Sequence, residues 1–444
     1  MCRAACSAYP YLVIHEVSRP KRIGSLGLVK ILVIGSGARE HAIVNALLRD
    51  TTAHEIVVAP GNAGIAAVVE TVSLPTTEGS LIADYASEQG VELVIVGPEA
   101  PLVAGVADAL RAAGVPVFGP DKAAAQIEGS KEFAKEIMNA ARVPTGRSMS
   151  ATTMAEVETA LDEFGAPYVV KADGLAAGKG VIVTVDRTAA RDHAEFFIHQ
   201  GPVLIEEFLD GPEVSLFMLS DGDAVVPLSP AQDYKRAFDN DEGPNTGGMG
   251  AYSPLPWVPE GFVDEIVETV AQPTIREMSR RGTPFVGLLY CGLIVTPRGV
   301  RVIEFNARFG DPEAQVVLEL LESSLADLLL ATATGRLASV PEPVFADDVA
   351  VTVVLASEGY PESPETGRPI LGLADALEVP GVSIAHAATA RDGDGFVSTG
   401  GRVLSVIARG ADFTDARRRV YMALDRITLD GSHFRTDIAE RVAE

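Results

Sequence analysis

The chain has 444 residues, 61 acidic against 36 basic, a net charge of −25 and 47% hydrophobic residues. That length exceeds one hydrophobic core and points to roughly three domains. The acidity disfavours a nucleic-acid or anionic-membrane partner, because counterion release needs clustered Lys and Arg. An anionic small ligand stays open if a few cations are gathered locally. No apolar run approaches the roughly 20 residues that cross a bilayer, so a soluble protein is expected. Three cysteines (Cys2, Cys6, Cys291) make no disulfide framework, and seven scattered histidines with no Cys-x-x-Cys pair argue against structural zinc. A reducing cytoplasm fits this usage.

Residues 1–29 carry Arg3, Arg19, Lys21 and Arg22 against Glu16 alone, unlike the acidic remainder. They lack the apolar core and small-residue cleavage site of a secretory signal. An organelle transit peptide is one reading; a disordered extension or an over-long assigned start is the other, with the first folded strand expected at 30–34.

From there strand and helix alternate: a strand over 31–34, a helix near 40–49, a strand over 55–58, a helix near 81–88, a strand over 93–96 and a helix from Pro101 to Ala113. This is a doubly wound α/β unit spanning 30–128. Its first turn, Gly35-Ser36-Gly37-Ala38-Arg39-Glu40, resembles a dinucleotide fingerprint without the third glycine. The acid that would hold a ribose is replaced by Ala59-Pro60-Gly61-Asn62, so a nicotinamide site is disfavoured. The strand ends at Gly35–Gly37, Ala59–Gly61 and Gly97-Pro98-Glu99 would still meet where open α/β sheets form their crevice. Turns that only reverse the chain are the plainer alternative.

The region 129–341 reads as α+β and holds the run Lys171-Ala172-Asp173-Gly174-Leu175-Ala176-Ala177-Gly178-Lys179-Gly180 between two β-branched segments, Tyr168–Val170 and Val181–Val185. Small residues let backbone amides approach an anionic oxygen, and two lysines add charge, so a hairpin covering phosphates is expected. A glycine-rich turn with incidental lysines is the competing reading. A Walker A loop is excluded, because three residues rather than four precede Gly-Lys and a glycine follows. After the apolar run 300–303, Glu304, Asn306 and Arg308 alternate, so on a strand they would share a face. A carboxylate, an amide oxygen and a guanidinium so placed can hold Mg²⁺ and a phosphate together. A Pro- and Ala-containing stretch, 337–348, is the expected linker to a small C-terminal α+β domain with strands over 349–357 and 402–407 and a helix over 413–426.

Seven segments carry a resemblance to a known family: Gly35-Ser-Gly-Ala-Arg-Glu-His41, Ala59-Pro-Gly-Asn-Ala-Gly64, Val96-Gly-Pro-Glu-Ala-Pro-Leu102, 171–180, Gly243-Pro-Asn-Thr-Gly-Gly-Met-Gly-Ala-Tyr252, Ile303-Glu-Phe-Asn306 and Arg308-Phe-Gly-Asp-Pro-Glu313. With the Thr399-Gly-Gly-Arg402 turn they run in order through residues 30–444, and the chain resembles the phosphoribosylamine-glycine ligases (glycinamide ribonucleotide synthetases) of the ATP-grasp superfamily. The resemblance implies a substrate domain over 30–128, an ATP-grasp domain over 129–341 with a lid subdomain at about 145–210, and a C-terminal domain over 342–444. The activity it implies is ligation of glycine to 5-phosphoribosylamine through glycyl phosphate, with ATP as substrate, Mg²⁺ (or Mn²⁺) as cofactor, and a monomer or weak dimer in the cytoplasm.

Carried over by position, Lys131 and Lys171 hold ATP phosphates, with Gly178, Lys179 and Gly180 in the lid hairpin. Glu206 and the backbone of Glu207 and Leu209 read adenine, and Glu213 the ribose. Glu304 and Asn306 bind the metal, and Arg308 meets the phosphoryl group or the glycine carboxylate, making it catalytic with Lys171. The substrate set is Gly35, Gly37, Arg39, Glu40, Asn62, Gly97, Glu99, Lys235, Arg236 and Asp311. The strand 285–295 offers no second metal carboxylate, a departure from many ATP-grasp enzymes. For the 5-phosphate the residues offer two places, the Gly35–Gly37 turn at a helix N-terminus and Lys235-Arg236 with the 243–250 loop. The first is favoured, with Glu99 on the ribose. Rival readings are another ATP-grasp carboxylate-amine ligase or ribonucleotide carboxylase, a non-catalytic nucleotide-binding regulator, which would not need the Glu-x-Asn-x-Arg alignment, and a dehydrogenase.

Overall fold

The computed structural model describes residues 27–174 and 180–443; Gly178, Lys179 and most of the N-terminal extension lie outside them. The first strand, Lys30–Gly35, is buried at every position after Lys30. Such continuous burial suits a parallel strand covered on both faces. It pairs in parallel with Glu55–Pro60 and Leu93–Val96, within a five-stranded sheet whose edges are Glu70–Thr71 and Val117–Phe118. The strand order reverses between Lys30–Gly35 and Leu93–Val96, so the turns at Gly35–Gly37 and Gly97–Glu99 flank the crevice at the switch point.

Two expectations shift. Val29 is 5% exposed, its amide donates to His54 Nδ1 at 3.3 Å, and its carbonyl accepts from the Glu55 amide at 3.1 Å, so residue 29 already belongs to the folded unit. The helix expected from Pro101 to Ala113 is two helices, Glu99–Ala104 and Val106–Ala112. Gly105 between them has φ +93°, a left-handed conformation that ends one helix and turns the chain into the next.

Four antiparallel strands, in the order Ser148–Ala151, Val203–Glu206, Tyr168–Ala172 and Val181–Thr184, form a separate small sheet. Helices Met154–Phe164 and Arg187–Ile198 cover it through Val157, Ala160, Leu161, Ala190 and Ala194, which pack with Val170 and Ile205. A second antiparallel sheet runs Val225–Pro227, Glu213–Asp221, Val286–Thr296, Gly299–Asn306.

The third large sheet crosses the boundary expected near residue 342. Gln232–Asp233 and Gly250–Ser253 join Val349–Ala356, Arg402–Gly410 and Val382–His386 in one sheet, with Tyr252 opposite Val351. One buried cluster accordingly reaches from Ile34 and Val96 through Leu289 and Val302 to Val353 and Val406. The first helix, Ala38–Leu48, also meets this sheet, where the His386 amide donates to His41 Nδ1 at 2.9 Å. Burial pushes the His41 imidazole down to about 3. No described helix is long and apolar enough to cross a membrane.

Candidate active site

Glu304 and Asn306 end the strand Gly299–Asn306 and, two residues apart, share a face. Gly292 stands opposite Glu304 on the neighbouring strand, where a Cβ would come within 3.2 Å of the Glu304 Cγ. The adjoining strand therefore presents no side chain beside Glu304. Around this carboxylate the fold gathers lysines from a strand and a helix, with Lys235 from a loop. Lys171, on Tyr168–Ala172, places Nζ 2.7 Å from Glu206 Oε2 and donates to the Ile303 carbonyl at 3.3 Å. Lys131 opens the helix Lys131–Ala141; its Nζ donates to the Gly174 carbonyl at 3.0 Å, and its amide to Asp173 Oδ1 at 2.6 Å. Ser130 caps that helix by accepting from the Phe133 amide and donates to Asp173 Oδ2, which ties the helix start to the hairpin.

Lys135, one turn on from Lys131, reaches Glu206 Oε1 at 3.2 Å and donates to Thr145 Oγ1 and the Gly146 carbonyl. Lys135, Glu206 and Lys171 have side chains no more than 8% exposed. Burial opposes ionisation of Glu206, but the two ammonium groups hold its carboxyl below the usual 4.5. Lys171 is raised against its own burial by Glu206 and Glu304, whereas burial lowers Lys131 and Lys135. Glu206 thus pairs with both lysines at once. The Glu207 amide likewise already donates to the Arg147 carbonyl at 3.0 Å, and its carboxylate pairs with Arg147. Glu213 pairs with Lys235. Lys235 and Arg236 do not act together: Lys235 lies within the field of Glu213, Asp233 and Glu304, while Arg236 turns away and donates to the Gly243 carbonyl. Burial pushes the Asp233 carboxyl up to about 7.

The second group lies at the switch-point crevice. The Gly37 amide, expected to be open to a phosphate, donates to Glu40 Oε2 at 2.6 Å, and Arg39 Nε to Glu40 Oε1 at 2.6 Å. Glu40 is 1% exposed, and a Cβ on Gly97 would stand 2.1 Å from its Oε1. The absence of side chains at Gly35, Gly37 and Gly97 thus makes room for a carboxylate of the protein itself. A phosphate placed directly on the Gly37 amide would meet that charge, although Ser36 and Gly37 also line the cavity described below. Asn62 is also occupied: its Nδ2 donates to the Ser36 and His386 carbonyls, and its Oδ1 accepts from Gly64 and Ile65.

Arg308 lies beyond the strand end, not on it. Its Nη2 is 2.8 Å from Glu128 Oε1, and Glu128 Oε2 accepts the Ala307 amide at 2.8 Å. Its Nε lies 3.5 Å from Glu99 Oε2, a distance with no hydrogen bond, and is buried without a hydrogen-bond partner among the described residues. Burial opposes its charge, but Glu128 and Glu99 keep the guanidinium protonated. Glu99 is held low against its own burial by Arg308 and Arg39.

A cavity of about 470 Å³ opens beside this group, lined by Ser36, Gly37, Asn62, Asp311, Thr389, Thr399 and Arg402 among others. Asp311 Oδ2 pairs with Arg402 Nη2 at 3.1 Å, and Arg402 Nη1 donates to the Gly247 and Asp311 carbonyls. Lys135, Glu128 and Asp233 escaped the sequence reading, and Asp173 stood in the 171–180 run without a role of its own. Lys135 carried one signal, its i, i+4 spacing from Lys131 on a helix; Glu128 and Asp233 reveal themselves only through contacts distant in sequence.

Three family models match in order: phosphoribosylglycinamide synthetase N domain over 29–128, ATP-grasp (A) domain over 129–314 and C domain over 350–441. The phosphoribosylamine-glycine ligase of Leifsonia xyli is 66% identical over 416 residues, covering 93% of this chain and 100% of that protein. That of Streptomyces coelicolor is 60% identical, covering 94% and 100%. The crystal structure of the Thermotoga maritima phosphoribosylamine-glycine ligase superposes with a TM-score of 0.80 at 31% identity, covering 92% of this chain and 100% of that one. A biotin carboxylase domain from Hydrogenobacter thermophilus, at 17% identity and TM-score 0.69, shares the fold. The chain belongs to the phosphoribosylglycinamide synthetase family, with its N, ATP-grasp and C domains.

Proposed function

We propose that the protein joins glycine to 5-phosphoribosylamine at the expense of ATP in purine biosynthesis, giving glycinamide ribonucleotide, ADP and phosphate. The observation that carries this reading is the continuity of one segment. The strand bearing Glu304 and Asn306 among the lysines runs directly into Arg308 on Glu128, and three residues later Asp311 lines the interdomain cavity. A nucleotide phosphate and a ribosylamine can therefore be brought to the two ends of a segment eight residues long.

Glycine carboxylate is a poor acyl donor, so its oxygen first takes the γ-phosphoryl group and forms glycyl phosphate. Such transfer rests on positioning and charge neutralisation, which Lys131, Lys171 and Arg308 supply without a covalent enzyme intermediate. The 1-amine then attacks the acyl carbon and expels phosphate. Glu304 and Asn306 offer one carboxylate and one amide oxygen, and among the described residues no cluster of three or more His, Cys, Asp or Glu could hold a metal ion alone. That sparse, hard donor set suits Mg²⁺, which completes its shell with phosphate oxygens and water and would neutralise phosphoryl charge. We assign the 5-phosphate to the 470 Å³ cavity, where Arg402 and the hydroxyls of Ser36, Thr389 and Thr399 supply donors. A monomer or weak dimer is the proposed state, and cysteine usage suits the cytoplasm. ADP release measured with each substrate omitted in turn tests the reading. Full turnover without the amine, or with another amino acid in place of glycine, would refute it.

A further inference from the structure

The two carboxylates on Arg308 differ in kind. Glu128 is fixed: its side chain is 6% exposed, it pairs at 2.8 Å and it also accepts a backbone amide. Glu99 is loose: its side chain is 37% exposed, and it stands 3.5 Å from an Nε–H that no hydrogen bond satisfies. A buried guanidinium donor left in this state is costly, and a better-placed anion would gain both its charge and its hydrogen bond. Glu99 also opens the helix Glu99–Ala104 of the other domain, two residues after the switch-point glycine Gly97, where the amine and hydroxyls of a ribosylamine bound at that edge would offer it donors.

We propose that Glu99 is an exchangeable occupant of the anion position on Arg308, drawn away by the ribosylamine so that Arg308 is released to the glycine carboxylate. Resting on the function proposed above, this makes Glu99 a coupling residue. Without the amine, Glu99 competes with glycine and little acyl phosphate forms to be lost to water. With the amine bound, the ion pair is exchanged, and no covalent bond is made or broken in that step.

The experiment is ADP release by Glu99→Gln from ATP and glycine with phosphoribosylamine omitted, with the KM for glycine and for ATP measured alongside. The amide is neutral and no longer competes. Amine-independent ADP release should rise several-fold and the KM for glycine should fall about fivefold, the scale of one partly exposed ion pair, with the KM for ATP unchanged. Glu99→Asp should keep wild-type coupling. Amine-independent release equal to wild type, a glycine KM that stays or rises, or a folded variant that binds ATP but never turns over would each overturn the proposal. A wild-type enzyme whose ADP release needs no glycine would instead overturn the function it rests on, and that is read on the wild type alone.

Discussion

Replacing Glu206 with Gln removes the one negative charge between two buried ammonium groups. Lys135 and Lys171 lie 3.2 and 2.7 Å from its two oxygens, and all three side chains are at least nine-tenths buried. Deleting one member of a buried ion pair typically costs about 3–5 kcal/mol, and because the amide oxygen can still accept one hydrogen bond, the lower end, about 3 kcal/mol, is expected. For a cooperative unit of about 200 residues that corresponds to a melting temperature lower by roughly 6–12 °C. One lysine should also shed its proton, which weakens the hold on ATP phosphates and raises the KM for ATP. The pH dependence separates this cause from lost packing. The Glu206 carboxyl is held below 4.5 in the folded state, so its contribution is complete above 4.5 and drains away as pH falls further. The gap between wild type and variant should therefore be wide at pH 7 and close below 4.5. Thermal melts across this range, with ATP titrations at pH 7, make the measurement. A variant melting within about 2 °C of wild type at pH 7, with unchanged KM for ATP, would show that the triad carries no such energy.

Glu304→Gln should lower kcat more than about 100-fold, the scale of losing one dominant electrostatic contact, and wild-type turnover at limiting Mg²⁺ would place the metal elsewhere. Arg402→Ala should raise the KM for phosphoribosylamine at least about tenfold while leaving that for ATP unchanged, and Arg236→Ala should do neither. If the pattern is reversed, the 5-phosphate lies on the 236–250 side. The His41 imidazole titrates near 3 instead of 6.5, so its stabilising contribution is complete above 6.5 and is lost by up to about 1.4 kcal/mol per pH unit below it. In His41→Asn, which keeps an acceptor for the His386 amide, urea midpoints should fall less steeply between pH 6.5 and 5; an unchanged slope would exclude His41 as the source.

What the sequence disclosed was what local pattern controls. The strands of the first sheet, the hairpin flanking 171–180 and the Glu304-x-Asn306 strand end follow from β-branched runs, glycine placement and a period of two. The break at Gly105 did not show, since the apolar spacing continues through it and only the backbone sign at one residue splits the helix. Arg308 fits the alternation on paper, yet the strand stops at Asn306 and the side chain is placed by Glu128, 180 positions earlier in the chain. The glycines of the first turn also make room for Glu40, which their pattern did not disclose, because a motif records where side chains are missing but not what fills the gap.

The sheet that joins Gly250–Ser253 to Val349–Ala356 bears on what a shortened chain could be. A product ending near residue 342 would keep Gln232–Asp233 and Gly250–Ser253 as a two-stranded ribbon, with Tyr252 losing Phe413 and a row of peptide groups losing the partners that Val349–Ala356 supplies. An open edge of that kind recruits whatever strand comes within reach, most readily another copy of the same fragment. Premature termination or a proteolytic nick there would then yield not a slower ligase but an adhesive one, and quality control rather than kinetics would decide its fate.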